Sequence, residues 1–115
     1  FDKSSLQAIE KAILAANLGF NPKNEGEFLR IQVPPLTEER RKDLAKRSKT
    51  VAEEAKVGIR NIRRNANDDA KKLKDEGVSE DEVKLVTDKI QELTDKYVKR
   101  IDELCELKVK DILTV

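Results

Sequence analysis

The sequence has no histidine, methionine or tryptophan, one cysteine, one tyrosine, three phenylalanines, three prolines and four glycines in 115 residues. Each shortage excludes something. Without histidine the chain lacks the side chain whose ordinary pKa lies near neutrality, and with it the commonest metal ligand. Cys105 has no partner for an internal disulfide, which fits a reducing compartment. It also has no candidate base, so a buried helical thiol is expected rather than a nucleophile. So few aromatics leave little for stacking on bases, and any contact with nucleic acid has to be electrostatic. There is no cysteine pair, Gly-rich phosphate loop or nucleophile elbow. No apolar run approaches membrane-spanning length, and the start carries no signal-peptide pattern. The chain opens on Phe1 rather than Met, so we expect it to be processed, cleaved or incomplete.

What is present is charge and a regular apolar pattern. Leu, Ile, Val and Phe supply 32 residues, enough for a core, although 41% of the chain is charged. The net charge of +1 hides a segregation. Residues 1–39 carry 4 basic and 6 acidic side chains, residues 40–74 carry 13 and 5, and residues 75–115 carry 7 and 12. A strongly positive block inside a near-neutral chain steers polyanions through its local field. Asp and Glu elsewhere alternate with Lys on helix faces, where they solvate the surface; no metal or acid/base site is expected from them.

The pattern predicts a short amphipathic helix from Ser4 to Leu18, with Leu6, Ile9, Ile13 and Leu14 on one face and Gly19 as its left-handed terminator. Asn21 to Gly26 reads as a turn, and the alternation over Phe28 to Val33 as a half-buried strand. One helix and one strand do not make a domain. Residues 1–33 are therefore read as the remnant of a small α/β domain. Pro34 and Pro35 end the strand and make residues 34–36 a hinge. From Thr37, a fitting N-cap followed by Glu38 and Glu39, no helix breaker occurs before Gly77. Leu44, Ser48, Val51, Ala55, Gly58, Ile62, Asn65 or Ala66, Asp69 or Ala70, and Leu73 mark a seam along this helix, which at about 1.5 Å per residue reaches nearly 60 Å. Gly58 in such a seam suggests close approach of a neighbouring helix. Ser79 to Glu82 matches a capping box and starts another helix. Its seam is Val83, Val86, Ile90, Leu93, Tyr97, Ile101 and Leu104, and the short connection makes the two helices antiparallel. A second stripe, Val98, Cys105 and Ile112, has no use in a two-helix hairpin and predicts an open groove awaiting a third helix. The fold class is thus mainly α: residues 37–115 form a long antiparallel hairpin from a three-helix bundle, beside the α/β remnant.

A basic stripe runs along the first long helix: Lys42, Lys46, Lys49, Lys56, Arg60, Arg63, Lys71 and Lys74, widened by Arg47 and Arg64. It is offset by two residues from the seam, about 200° of rotation, which puts it opposite the core. Two readings stay open for it. It is a solvated face laced with Glu–Lys pairs, or a surface that orients a polyanion through its phosphates. Arg60-Asn61-Ile62-Arg63-Arg64 is its densest part, and arginine's planar fork suits bidentate phosphate contact.

Two stretches carry a family resemblance. Val33 to Leu44 (Val-Pro-Pro-Leu-Thr-Glu-Glu-Arg-Arg-Lys-Asp-Leu) resembles the hinge and helix start of ribosome recycling factors. Lys56 to Arg64 is similar to that family's arginine-rich helix segment, with Gly58 where Ala is usual and Asn65 in place of an acidic residue. Leu6 to Gly19 resembles the helix of its smaller domain. The resemblance implies a protein with no catalytic residue and no cofactor, which binds the ribosome through large-subunit RNA. With elongation factor G it promotes dissociation of the post-termination ribosome into subunits. It implies ribosomal-RNA contacts at Arg60, Arg63 and Arg64, continued along Lys56, Lys49, Lys46 and Lys42, and a hinge at Pro34 and Pro35. No membrane and no small-molecule substrate are implied. The compartment is a bacterial cytoplasm, or the plastid or mitochondrial matrix. The alternative is a helical hairpin that serves as a protein-interaction module, with its basic face toward an acidic partner.

Overall fold

A computed structural model describes residues 2–115, and the chain divides into two compact units, Phe1–Leu36 and Thr37–Val115. In the first, a 3-10 turn over Lys3–Ser5 runs into helix α1, Leu6–Ala15. Asp2 caps this start by accepting from the Ser4 amide at 2.9 Å. The helix ends earlier than the apolar spacing predicts. Asn17 takes the left-handed conformation just past it, at φ 50°, and Gly19 follows at φ 82°. Asn is among the few residues that adopt it at low cost. Strands β1, Lys23–Asn24, and β2, Leu29–Arg30, pair antiparallel, with Lys23 opposite Arg30 and Asn24 opposite Leu29. The expected strand over Phe28–Val33 is therefore only two residues long, and its partner comes from the segment read as a turn. Gly26, at φ 89°, and the Asn24 side chain, which accepts from the Gly26 amide, fold the loop between them. Arg30 closes it with two contacts to the Glu25 carboxylate, at 2.9 and 3.3 Å.

The second unit is a helical hairpin of α2, Glu38–Asp75, and α3, Glu80–Leu113. Local chemistry sets all of its inner ends. The Thr37 hydroxyl accepts from the Arg40 amide at 3.1 Å, and the Ser79 hydroxyl from the Glu82 amide at 3.3 Å. Three acids, Glu80, Asp81 and Glu82, occupy the first turn of α3, where the helix dipole favours them. At the end of α2, Gly77 stands at φ 92°. The Val78 amide reaches back to the Leu73 carbonyl at 3.1 Å and the Gly77 amide to that of Lys74 at 3.2 Å. This double closure satisfies the last carbonyls and reverses the chain. Cross-helix contacts then pair Lys74 with Glu80, Lys56 with Asp102, Ser48 with Cys105 and Arg41 with Ile112, so the helices run antiparallel along their whole length.

The interface keeps the ends of the seam that the apolar residues suggest and departs from its middle. On α2 the residues at least half-buried along the hairpin include Arg41, Leu44, Ala45, Ser48, Ala52, Lys56, Ile59, Arg63, Ala66, Asn67, Ala70 and Leu73. On α3 they are Val83, Thr87, Ile90, Thr94, Val98, Ile101, Cys105, Val109 and Ile112. Val98, Cys105 and Ile112 thus belong to the interface and not to an open groove. The expectation for this stripe fails. Conversely, Val51, Ile62, Leu93, Tyr97 and Leu104 are 55%, 68%, 41%, 52% and 49% exposed. Ala45, Ala52 and Ala70 are the deepest apolar side chains of α2, and small residues there let the helix backbones approach. Gly58 lies outside this contact: a methyl group at its Cα would meet nothing within 4 Å, so no neighbouring helix requires it. An open apolar cleft of about 390 Å³ follows the interface, lined by Ile59, Ile62, Ala66, Ile90, Leu93 and Tyr97 among others. No helix among the described residues is long and apolar enough to cross a membrane.

Candidate nucleic-acid interface

The basic stripe lies on α2, and its setting follows from the true phase of the interface. Lys42, Lys46 and Lys49 each come one residue after an inward-facing position, Arg41, Ala45 and Ser48; Arg60 and Arg64 follow Ile59 and Arg63. One residue is about 100° of rotation, so the stripe flanks the interface and does not lie opposite it. The expectation of a fully opposed stripe is corrected accordingly. The error arose because alanine and serine mark an interface far less visibly than the half-exposed Val51 and Ile62 do.

The individual residues then separate into groups. Lys42, Lys46, Lys49, Arg60 and Arg64 are exposed. The Lys42 ammonium lies 3.1 Å from Glu38, in a pair whose members are 70% and 85% exposed, which exchanges readily with solvent. Arg63 is half-buried, and its stem lines the apolar cleft beside Ile59, Ile62 and Tyr97, as long cationic side chains do when they keep only the head in water. Lys56 differs from all of these. Its side chain is 13% exposed, and its ammonium sits 2.7 Å from Glu53 and 2.8 Å from Asp102 on α3. The hydrogen bond that Lys56 donates to Asp102, and then the one it donates to Glu53, holds the Lys56 pKa above the ordinary lysine value. Pro34 and Pro35 are exposed and precede α2.

Electrostatically α2 is only partly neutralised. Ion pairs occupy Lys42, Lys56, Lys72 and Lys74. Among the described residues Lys46, Arg47, Lys49, Arg60, Arg63, Arg64 and Lys71 have no carboxylate within ion-pair distance. A face built only to be solvated would pair these cations along the helix. Three unpaired guanidiniums within five residues instead present a forked donor array suited to phosphate oxygens. No group of three or more metal-ligating side chains occurs among the described residues.

Two residues of this region escape sequence reasoning. Asp102 reads as one more acid on α3 until the hairpin is closed; Lys56 and Asp102 are equidistant from Ser79, and only that register joins them. Arg41 reads as part of the positive block, yet its guanidinium donates to the carbonyls of Ile112 and Thr114, at 2.7 and 3.0 Å. It is a cap for the end of α3, and no local pattern announces it.

The family model described as "Ribosome recycling factor" matches residues 1–113. The ribosome-recycling factor of Flavobacterium johnsoniae is 58% identical over 115 residues, covering 100% of this chain and 62% of that protein. That of Halalkalibacterium halodurans is 54% identical and that of Staphylococcus carnosus 57% identical, each over 116 residues with 100% of this chain and 63% of the relative covered. The chain therefore spans a little under two thirds of the length of these curated relatives. With residues 1–113 matched end to end, the chain belongs to the ribosome recycling factor family.

Proposed function

We propose that this chain works in ribosome recycling: it binds the post-termination ribosome and, together with elongation factor G, promotes its separation into subunits. It acts by binding and contributes no catalytic residue. The contact is made to large-subunit RNA by the basic surface of α2, centred on Arg60, Arg63 and Arg64 and continued by Lys49, Lys46 and Lys42. The observation that carries this reading is the cluster of guanidiniums without an ion pair on a helix where Lys42, Lys56, Lys72 and Lys74 are neutralised. Membership of the family supports it, as do the names of the relatives. The reading includes two structural parts. Pro34 and Pro35 form the hinge, consistent with a division of the chain after Leu36. The open cleft over Ile62, Leu93 and Tyr97 is the bed for the third helix that a bundle needs. The compartment is the bacterial cytoplasm or an organelle matrix.

The test is ribosome affinity across a salt series. Arg60→Ala and Arg64→Ala remove exposed guanidiniums that hold no ion pair, so their unfolding should match that of the parent. Each should weaken binding about tenfold or more. Each should also make the salt dependence shallower by ~0.9 in slope. Lys89→Ala on α3, where Lys89 pairs only with the exposed Glu92 at 3.3 Å, should change neither. Parental affinity in the two arginine variants would put the protein-interaction module in place of this reading.

A further inference from the structure

Lys56 sits on the basic stripe by sequence but not by structure. Its ammonium is engaged on both sides, by Glu53 one turn earlier on α2 and by Asp102 across the interface. With 13% of its side chain exposed and two carboxylates on its ammonium, it offers a phosphate little of its charge. The surrounding interface gives this pair a second meaning. Ala45, Ser48, Ala52, Ala66 and Ala70 fill most of the α2 side, and such small side chains give little resistance to sliding or rotation of one helix on the other. Away from the turn, where Lys74 meets Glu80, Lys56–Asp102 is the one ion pair between α2 and α3 among the described residues. A charged pair among small side chains is a known way to select one register. Arg60 follows Lys56 by one helical turn, so whatever fixes the rotation of α2 at Lys56 also fixes the direction in which Arg60 points.

We infer that Lys56 is a positioning residue, a register pin between α2 and α3 that aims the Arg60–Arg64 cluster, and not itself a ligand for phosphate. This rests on the RNA-binding reading of that cluster for its functional half. The pin itself stands on the Lys56–Asp102 geometry.

Two measurements on the full chain separate the possibilities. The first is thermal unfolding of Lys56→Gln, Asp102→Asn and the double variant. A pin predicts that each single change lowers the midpoint by about 4 °C or more and that the double variant falls no further. Independent, additive losses would overturn it. The second is ribosome affinity against salt, with Lys56→Gln made in the parent and in Arg60→Ala. A pin predicts a few-fold loss in the parent at unchanged salt slope, no further loss once Arg60 is gone, and no tightening from Asp102→Asn. A phosphate ligand predicts a slope shallower by ~0.9 in both backgrounds and tighter binding when Asp102 no longer competes for the ammonium. Lower stability with parental affinity would make the pair purely structural and also overturn the aiming role. Absence of ribosome binding by the parent itself would sink the function reading, and with it the aiming role. The unfolding cycle would still decide whether the two side chains are coupled.

Discussion

Gly58 illustrates how a residue can sit beside a functional cluster without serving it. It lies inside a 38-residue helix, is exposed, and leaves open space where a methyl group would go. Glycine in a helix interior costs about 0.5–1 kcal/mol relative to alanine, chiefly through the freedom it has when unfolded. Gly58→Ala should therefore raise stability by about that amount in a denaturant titration while ribosome affinity stays at the parental value. A second residue-scale test concerns the turn between the long helices. Glu80 has its pKa held below the ordinary carboxylate value by the Lys74 ammonium, and Lys74 has its own raised by Glu80. A carboxyl with a depressed folded pKa contributes stability at pH values above its unfolded pKa and loses it as pH falls through the folded one. The raised lysine behaves oppositely and loses its share as pH rises through its folded pKa, in strongly alkaline solution. Below pH 4.5 the parent should thus lose thermal stability more steeply than Glu80→Gln does, and between pH 5 and 8 neither curve should bend.

At the scale of the elements, the sequence made the long helices legible almost to the residue, because their ends are local events. Thr37, Ser79 and Gly77 do their work through bonds that span three to five residues. Thr37→Ala should accordingly cost about 1 kcal/mol in unfolding, with Ser79→Ala similar. The phase of the interface was not legible, and the reason is physical. Hydrophobic periodicity reports where large apolar side chains lie. In α2 several of them, Val51, Val57 and Ile62, lie exposed, while the deepest contacts with α3 are made by Ala45, Ala52 and Ala70. The second stripe on α3 finds its partner in α2 itself. Pairing of β1 with β2 was hidden as well, since two-residue strands carry no period. A volume test reads the corrected phase directly. Ala52→Leu and Ala70→Leu push side chains into the closest helix approach and should destabilise by about 1–3 kcal/mol. Ala55→Leu on the open face should stay within ~0.5 kcal/mol of the parent.

For the whole molecule, the open apolar face is the largest unsolved demand of the hairpin. Ile62, Tyr97 and Leu107 are each more than half exposed, far from the scattered single apolar residues of an ordinary surface. In sedimentation, the 115-residue chain should associate as its concentration rises. Ile62→Glu combined with Leu93→Glu should abolish that association with little change in unfolding. The antiparallel hairpin also has a consequence for how it comes together. Its cross-helix contacts form a ladder of rising chain separation: 6 residues from Lys74 to Glu80, 46 from Lys56 to Asp102, 57 from Ser48 to Cys105 and 71 from Arg41 to Ile112. Closing the first rung costs least entropy, and each later rung adds only a short increment once its predecessor is in place. The structure is therefore a zipper that starts at Gly77 and frays from the far end. At that far end Arg41 clasps the carbonyls of Ile112 and Thr114, so one guanidinium guards the point from which unzipping would begin.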